Sequence, residues 1–169
     1  MFKERSVATA TMQEMAGEAC SQLMEAYGLC LTPSNAGWSE SEELIFSGVM
    51  GFVGDSVRGS CLLAAPEAAV LAAAPRSASV RDWVGELANQ LVGRLKIKLM
   101  ARGITIALTT PVVLKGVRLS PLPRTGAEPR IFDSPAGRVL VWVEVEVTSA
   151  FEFGMDRELS AGEGDLLVF

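Results

Sequence analysis

Histidine is absent from this 169-residue chain. With it go the commonest general base, the commonest metal ligand and every catalytic triad built on imidazole. Cysteine is scarce, and Cys20, Cys30 and Cys61 show no C-x-x-C spacing. No zinc knuckle or redox pair is written there, and such a scattered set suits buried thiols in a reducing cytosol. Positive charge is in deficit, with a net charge of −5, which argues against nucleic acid as a partner. The local basic cluster Arg94, Lys96, Lys98 and Arg102 reads as a solvated helix end favoured by the macrodipole. Long apolar runs are missing too. The opening "MFKERSVATATMQEM" lacks the core of a signal peptide. The most apolar stretch, "CLLAAPEAAVLAAAP", is short and broken by Pro66 and Glu67, so it does not span a membrane. These absences lead to the expectation of a cytoplasmic protein with no metal site of its own.

What remains is ordinary globular material, 49% hydrophobic and 21% charged, long enough for one domain over residues 1–169 with a real core. Residues 9–27 carry Met12, Met15, Ala16, Ala19, Leu23 and Ala26 at helical spacing, with Thr9 or Thr11 as N-cap and Gly28 as the stop. Residues 29–42 read as a loop. "ELIFSGVMGFVGDSVRGSCLLAAP" gives a hairpin turned at Gly54-Asp55, and a short Ala-rich helix lies between Pro66 and Pro75. A second long helix is predicted from Ser77 or Ser79 to Arg102, stopped by Gly103. "ITIALTTPVVLKGV" follows as a strand with Pro111 at an edge or bulge. A second hairpin turns at Ser134–Gly137, and its last strand sets Val141, Val143, Val145 and Val147 against Trp142, Glu144 and Glu146. The tail after Gly154 suggests at most a final short strand. The expected fold is α+β: a two-layer sandwich of one largely antiparallel sheet with two long helices on one face.

Within the second long helix, "DWVGELANQLVG" accepts Gly85, Asn89 and Gly93, which together give up about 2 kcal/mol of helix propensity. At about 100° per residue, with Asp82 at the origin, Glu86 falls at about +40°, Asn89 at about −20° and Gly93 at about +20°. Val84, Leu87, Leu91 and Leu95 take the opposite side. The stripe therefore faces away from the core. A merely solvated face would carry Lys, Gln or Ala at less cost. A glycine in line with the polar groups suggests that another surface comes close there. Gly85 lies off the stripe and suits helix packing.

Asp82, Glu86 and Asn89 match D-x-x-x-E-x-x-N, and this pattern resembles the signature of the CheC/CheX/FliY phosphatases, which dephosphorylate the response regulator CheY. The "PE" helix, "NQLVG", "TTPVVLKG" and "GRVLVWVEVEV" are similar to that family in the same order, over roughly residues 44–147. The first helix has no second copy of the motif, since counting from Glu14 or Glu18 puts Gly17 or Ser21 at the amide position. The likeness is thus to the single-motif CheX branch.

That resemblance implies a phosphatase acting on the aspartyl phosphate of a CheY-like receiver domain. Asn89 would orient the attacking water and Glu86 would contact the receiver's lysine. Asp82 would support the helix start or a rim contact, and Gln90 and Gly93 would be further partner-binding positions. No cofactor of its own is implied, because the receiver brings its Mg²⁺. Phosphoryl transfer rests on positioning and electrostatics, so a carboxamide suffices. Accelerating a labile acyl phosphate ~10²-fold asks for only about 2.7 kcal/mol. A non-catalytic module that binds or sequesters a phosphorylated receiver is the alternative. The resemblance also implies a homodimer, for which the late strand, with Trp142 on its polar face, offers a candidate pairing edge or packing patch.

Overall fold

The structure, a computed structural model, describes residues 2–37, 46–116, 128–148 and Phe153. The loop around Trp38 and the tail after Gly154 lie outside the described residues. In chain order the elements are α1 (Phe2–Ala26), β1 (Thr32–Pro33), β2 (Phe46–Val53), β3 (Val57–Ala65) and α2 (Glu67–Ala72). There follow α3 (Val80–Ala101), β4 (Ala107–Leu108), β5 (Val112–Lys115), β6 (Arg130–Asp133) and β7 (Val139–Val147). The strands form one sheet in the order β1-β6-β7-β3-β2-β4, with β5 also on β2, and every described pairing is antiparallel. Helices α1 and α3 pack against each other and cover one face, α1 over β7 and α3 over β2. This is the two-layer α+β sandwich that the sequence predicts.

Both long helices end the same way. The N–H of Gly28 donates to Glu25 O (2.9 Å) and that of Leu29 to Met24 O (3.0 Å). In α3 the N–H of Gly103 donates to Met100 O (3.0 Å) and that of Ile104 to Leu99 O (2.9 Å). The glycines take φ +83° and +77°, and Leu29 and Ile104 bury their side chains behind the turn, which is the Schellman closure. The start of α1 departs from expectation. Neither Thr9 nor Thr11 is an N-cap, because the helix already runs from Phe2. Lys, Glu, Arg and Ala in "FKERSVA" all favour helix, so nothing in that segment halts it.

The β2–β3 hairpin runs in register from Phe46↔Ala65 to Val53↔Arg58. The strand expected after α3 is split. Leu108 pairs with Phe52 and Val112 with Val49, so Thr109, Thr110 and Pro111 stand opposite only Met50 and Gly51. That surplus residue is a bulge, the place where a proline is tolerated in a ladder. Thr109 fills the space beside Gly51, whose N–H donates to Thr109 Oγ1 (2.9 Å). The expected loop 29–42 holds one surprise, the short strand β1 at Thr32–Pro33, paired with Phe132 and Asp133.

Strand β7 corrects the notion of a pairing edge. It is flanked by β3 along most of its length and by β6 at Val139–Val141. Where β6 has not yet begun, a side chain takes over. Gln13 of α1, only 5% exposed, donates from Nε2 to Val141 O (2.8 Å) and accepts from Val143 N–H (2.7 Å) at Oε1. Its carboxamide mimics one peptide unit of a neighbouring strand, so the buried backbone groups are satisfied. Trp142 is likewise not an exposed patch. It is 7% exposed within one chain, packed with Ala64, Leu140 and Leu62 on the sheet face away from the helices. The alternation of β7 holds towards its end, where Glu146 is exposed and Val145 buried.

The seat of α3 is unusually close. A Cβ placed on Gly48 of β2 would come within 2.7 Å of Ala88 Cβ and 3.0 Å of the Val84 carbonyl oxygen. Gly85 answers from the helix side, where an added Cβ would meet Val113 Cγ2 at 3.3 Å. Leu87, Leu91, Leu95 and Leu99 on the same face are fully buried. Burying each leucine contributes about 1.5–3 kcal/mol, which outweighs the poor helix formers on the same helix. Gly48→Ala should therefore lower stability by about 1–3 kcal/mol, because backbone and Ala88 must move to admit one methyl. A shift of the urea midpoint at constant m checks this, and an unchanged midpoint would refute the close seat.

Candidate functional site

The helix α3 begins at a capping pair. The Ser79 Oγ accepts from the Asp82 N–H (3.2 Å) and donates to Asp82 Oδ2 (2.6 Å). The carboxylate of Asp82 also sits at the positive end of the helix dipole. Of the two roles expected for Asp82, the helix start is the one its hydrogen bonds serve.

The buried face of α3 comprises Trp83, Val84, Gly85, Leu87, Ala88, Leu91, Val92, Leu95 and Leu99. With that face held down, the predicted stripe stands up. Asp82 and Glu86 are exposed, and Asn89, Gln90 and Gly93 are half-buried. Glu86 and Asn89 thus lie one turn apart on an open surface. The carboxamide of Asn89 makes no hydrogen bond among the described residues. Glu86 accepts one, from Gln90 Nε2 at 2.7 Å. Gln90 in turn accepts from the Tyr27 hydroxyl at 2.9 Å, so its side chain is engaged inside the chain on both ends.

A methyl added to Gly93 would have no heavy atom within 4 Å, so the fold leaves that space open. Continuing down the helix, Ile97 (47% exposed) and Met100 (44% exposed) extend the open face with apolar surface. Both fall on the stripe side of the helical projection, at about +60° and about 0°, and that projection would have found them. Tyr27 could not have been found this way, since it lies 63 positions from Gln90.

The chemistry open to this surface is narrow. Cys61 is pushed up to about 12 by burial, and Cys20 is raised higher by burial and its neighbour Cys61, so neither offers a thiolate. Among the described residues no group of His, Cys, Asp or Glu is arranged to hold a metal ion. A cleft of about 820 Å³ lined by Glu14, Glu18, Ser34, Asn35 and Arg130, among others, contains none of the motif residues. Two of its acids are paired, Glu14 with Arg130 (3.2 Å) and Glu18 with Lys98 (3.0 Å). What α3 presents is a carboxamide that can accept from and orient water, and a carboxylate that can pair with a cation.

The family model described as chemotaxis phosphatase CheX matches residues 46–131, from the start of β2 through α3 to β6. The chain belongs to the CheX family. The fold is similar to that of the chemotaxis protein CheX from Vibrio vulnificus, at 23% identity and TM-score 0.67, over 79% of this chain and 95% of that one. A CheC-like superfamily protein from Shewanella is similar at 21% identity and TM-score 0.66, over 80% and 97% of the two chains. A third similar structure is the CheX–CheY–BeF₃–Mg²⁺ complex from Borrelia burgdorferi, at 20% identity and TM-score 0.56, over 79% and 96%. Among curated proteins, none matches the chain. No described helix is long and apolar enough to cross a membrane.

Helix propensity and open space together make Gly93 a sharp test of what the CheX motif helix needs. Gly93→Ala should raise stability by about 0.5–1 kcal/mol, read as a higher melting temperature. A lower melting temperature would show that the fold itself requires the glycine.

Proposed function

We propose that the exposed face of α3 dephosphorylates the aspartyl phosphate of a CheY-like receiver domain. Asn89 orients the attacking water, and Glu86 pairs with the receiver's lysine and fixes the register. The observation that carries this reading is the pairing of an open carboxamide with an engaged carboxylate, one turn apart, in a chain of the CheX family. A complex with CheY in a similar structure supports the choice of partner. The beryllofluoride there stands for the phosphoryl group. The partner supplies Mg²⁺, and this chain supplies no cofactor. Asp82 fixes the start of the helix beside the contact, Gln90 steadies Glu86, and Gly93 admits the approaching receiver, with Ile97 and Met100 behind it. A partner of this kind belongs with a cytoplasmic protein.

The roles separate by experiment. Asn89→Ala should reduce turnover of phosphorylated CheY at least tenfold while leaving receiver binding and melting temperature nearly unchanged. Glu86→Lys should weaken binding more than Asn89→Ala does, since it sets like charges together at an interface. Retention of more than a tenth of wild-type turnover by Asn89→Ala would overturn its role. Normal binding by Glu86→Lys would remove the lysine contact. Binding of the phosphorylated receiver without any acceleration of its hydrolysis would instead mark a sequestering module.

A homodimer completes the proposal, assembled so that α3 stays open. Its support is the β4–β5 side of the sheet. Val113 points towards α3 at Gly85, so Val112 (56% exposed) and Leu114 (43% exposed) face the other way. Val53 on β2 adds apolar surface at 52% exposure. Joining two copies along that side would cover these side chains and leave Glu86 and Asn89 free. Light scattering at micromolar concentration should give twice the chain mass, and a single-chain mass would refute the dimer.

A further inference from the structure

Resting on the reading of Glu86 as the receiver contact, we propose that Tyr27 is a positioning residue for that carboxylate, acting through Gln90. The ionised carboxylate of Glu86 can only accept hydrogen bonds. Gln90 must therefore turn its Nε2 towards Glu86, at 2.7 Å, and its Oε1 the other way. Only a donor can complete the arrangement on that side, and the Tyr27 hydroxyl donates to Oε1 at 2.9 Å. The direction of the whole relay is thus forced by its two ends.

Tyr27 is itself fixed. It opens the Schellman turn of α1, its N–H donating to Met24 O at 3.1 Å. Its ring meets Trp83 edge-on, at 4.9 Å between centroids and 87° between planes, and Trp83 is buried at the start of α3. The relay therefore reaches from the packed end of α1, through a half-buried amide, to an exposed acid. The relay favours one rotamer of a long, flexible glutamate before any partner arrives, with the second carboxylate oxygen making no hydrogen bond among the described residues. Ordering that side chain in advance removes an entropic cost from binding.

Tyr27→Phe tests the relay, since it keeps the ring on Trp83 and deletes only the hydroxyl. Affinity is read with CheY carrying Mg²⁺ and BeF₃⁻, and turnover with CheY charged by acetyl phosphate. Kd and KM should rise three- to tenfold while kcat changes less than twofold. The same substitution in a Glu86→Ala background should have no effect. Side-chain ¹⁵N relaxation should show the Gln90 amide rigid in the wild type and mobile in Tyr27→Phe. Gln90→Met should reproduce the loss, with the double variant no worse than either single one. A mobile Gln90 amide in the wild type would overturn the relay. So would an equal loss in the Glu86→Ala background, which would mean that Tyr27 acts through the fold. Unchanged affinity in Tyr27→Phe, where Glu86→Lys binds weakly, would overturn the relay and leave the phosphatase reading standing. A rigid Gln90 with no binding and no turnover by the wild type would remove both.

Discussion

The backbone of β2 at Gly48 lies against Ala88 and the Val84 carbonyl, and this contact sets the rotation of α3 about its own axis. A helix seated so closely has little freedom to roll. A roll of one residue would turn a leucine out and bring Glu86 or Asn89 towards an apolar floor, where an unpaired polar group costs several kcal/mol. Gly85 meeting Val113 fixes the same rotation from the helix side. The open presentation of Glu86 and Asn89 is the other half of that constraint. That face stands open because the opposite face of the helix is committed.

The relation of α1 to the rest follows a similar rule of satisfied polar groups. Gln13 completes the hydrogen bonding of β7 where β6 is too short to do so, which ties the middle of α1 to the sheet. Tyr27 then ties the end of α1 to α3. One helix thus serves a buried polar demand and a half-buried one at two points along its length. Its small, tightly packed stretch of Ala16, Ala19 and Cys20, all 0% exposed, lets it lie close enough to meet both.

The chemistry proposed for this surface is modest. An acyl phosphate held by its own receiver with Mg²⁺ needs a water in line more than it needs a nucleophile or a base. A carboxamide does not titrate near neutrality, so it holds its geometry across the physiological range.

The amino-acid sequence by itself determined the two long helices with their glycine stops, both hairpins, an edge or bulge at Pro111 and the stripe of Asp82, Glu86, Asn89 and Gly93. These are local properties, since helical period, strand alternation and turn residues act within a few positions. It also held the cue for Gly85, whose place off the stripe implied packing. Only the tertiary structure decided what lies opposite each face. Trp142 sits among polar residues along β7, yet it is buried and packed with Ala64, Leu140 and Leu62. The strand β1 forms only because Phe132 and Asp133 come to meet it. The partnership of Tyr27 with Gln90 joins residues that no periodicity relates. Interactions between distant segments depend on how the chain closes on itself, and for that the sequence alone carries no local signal.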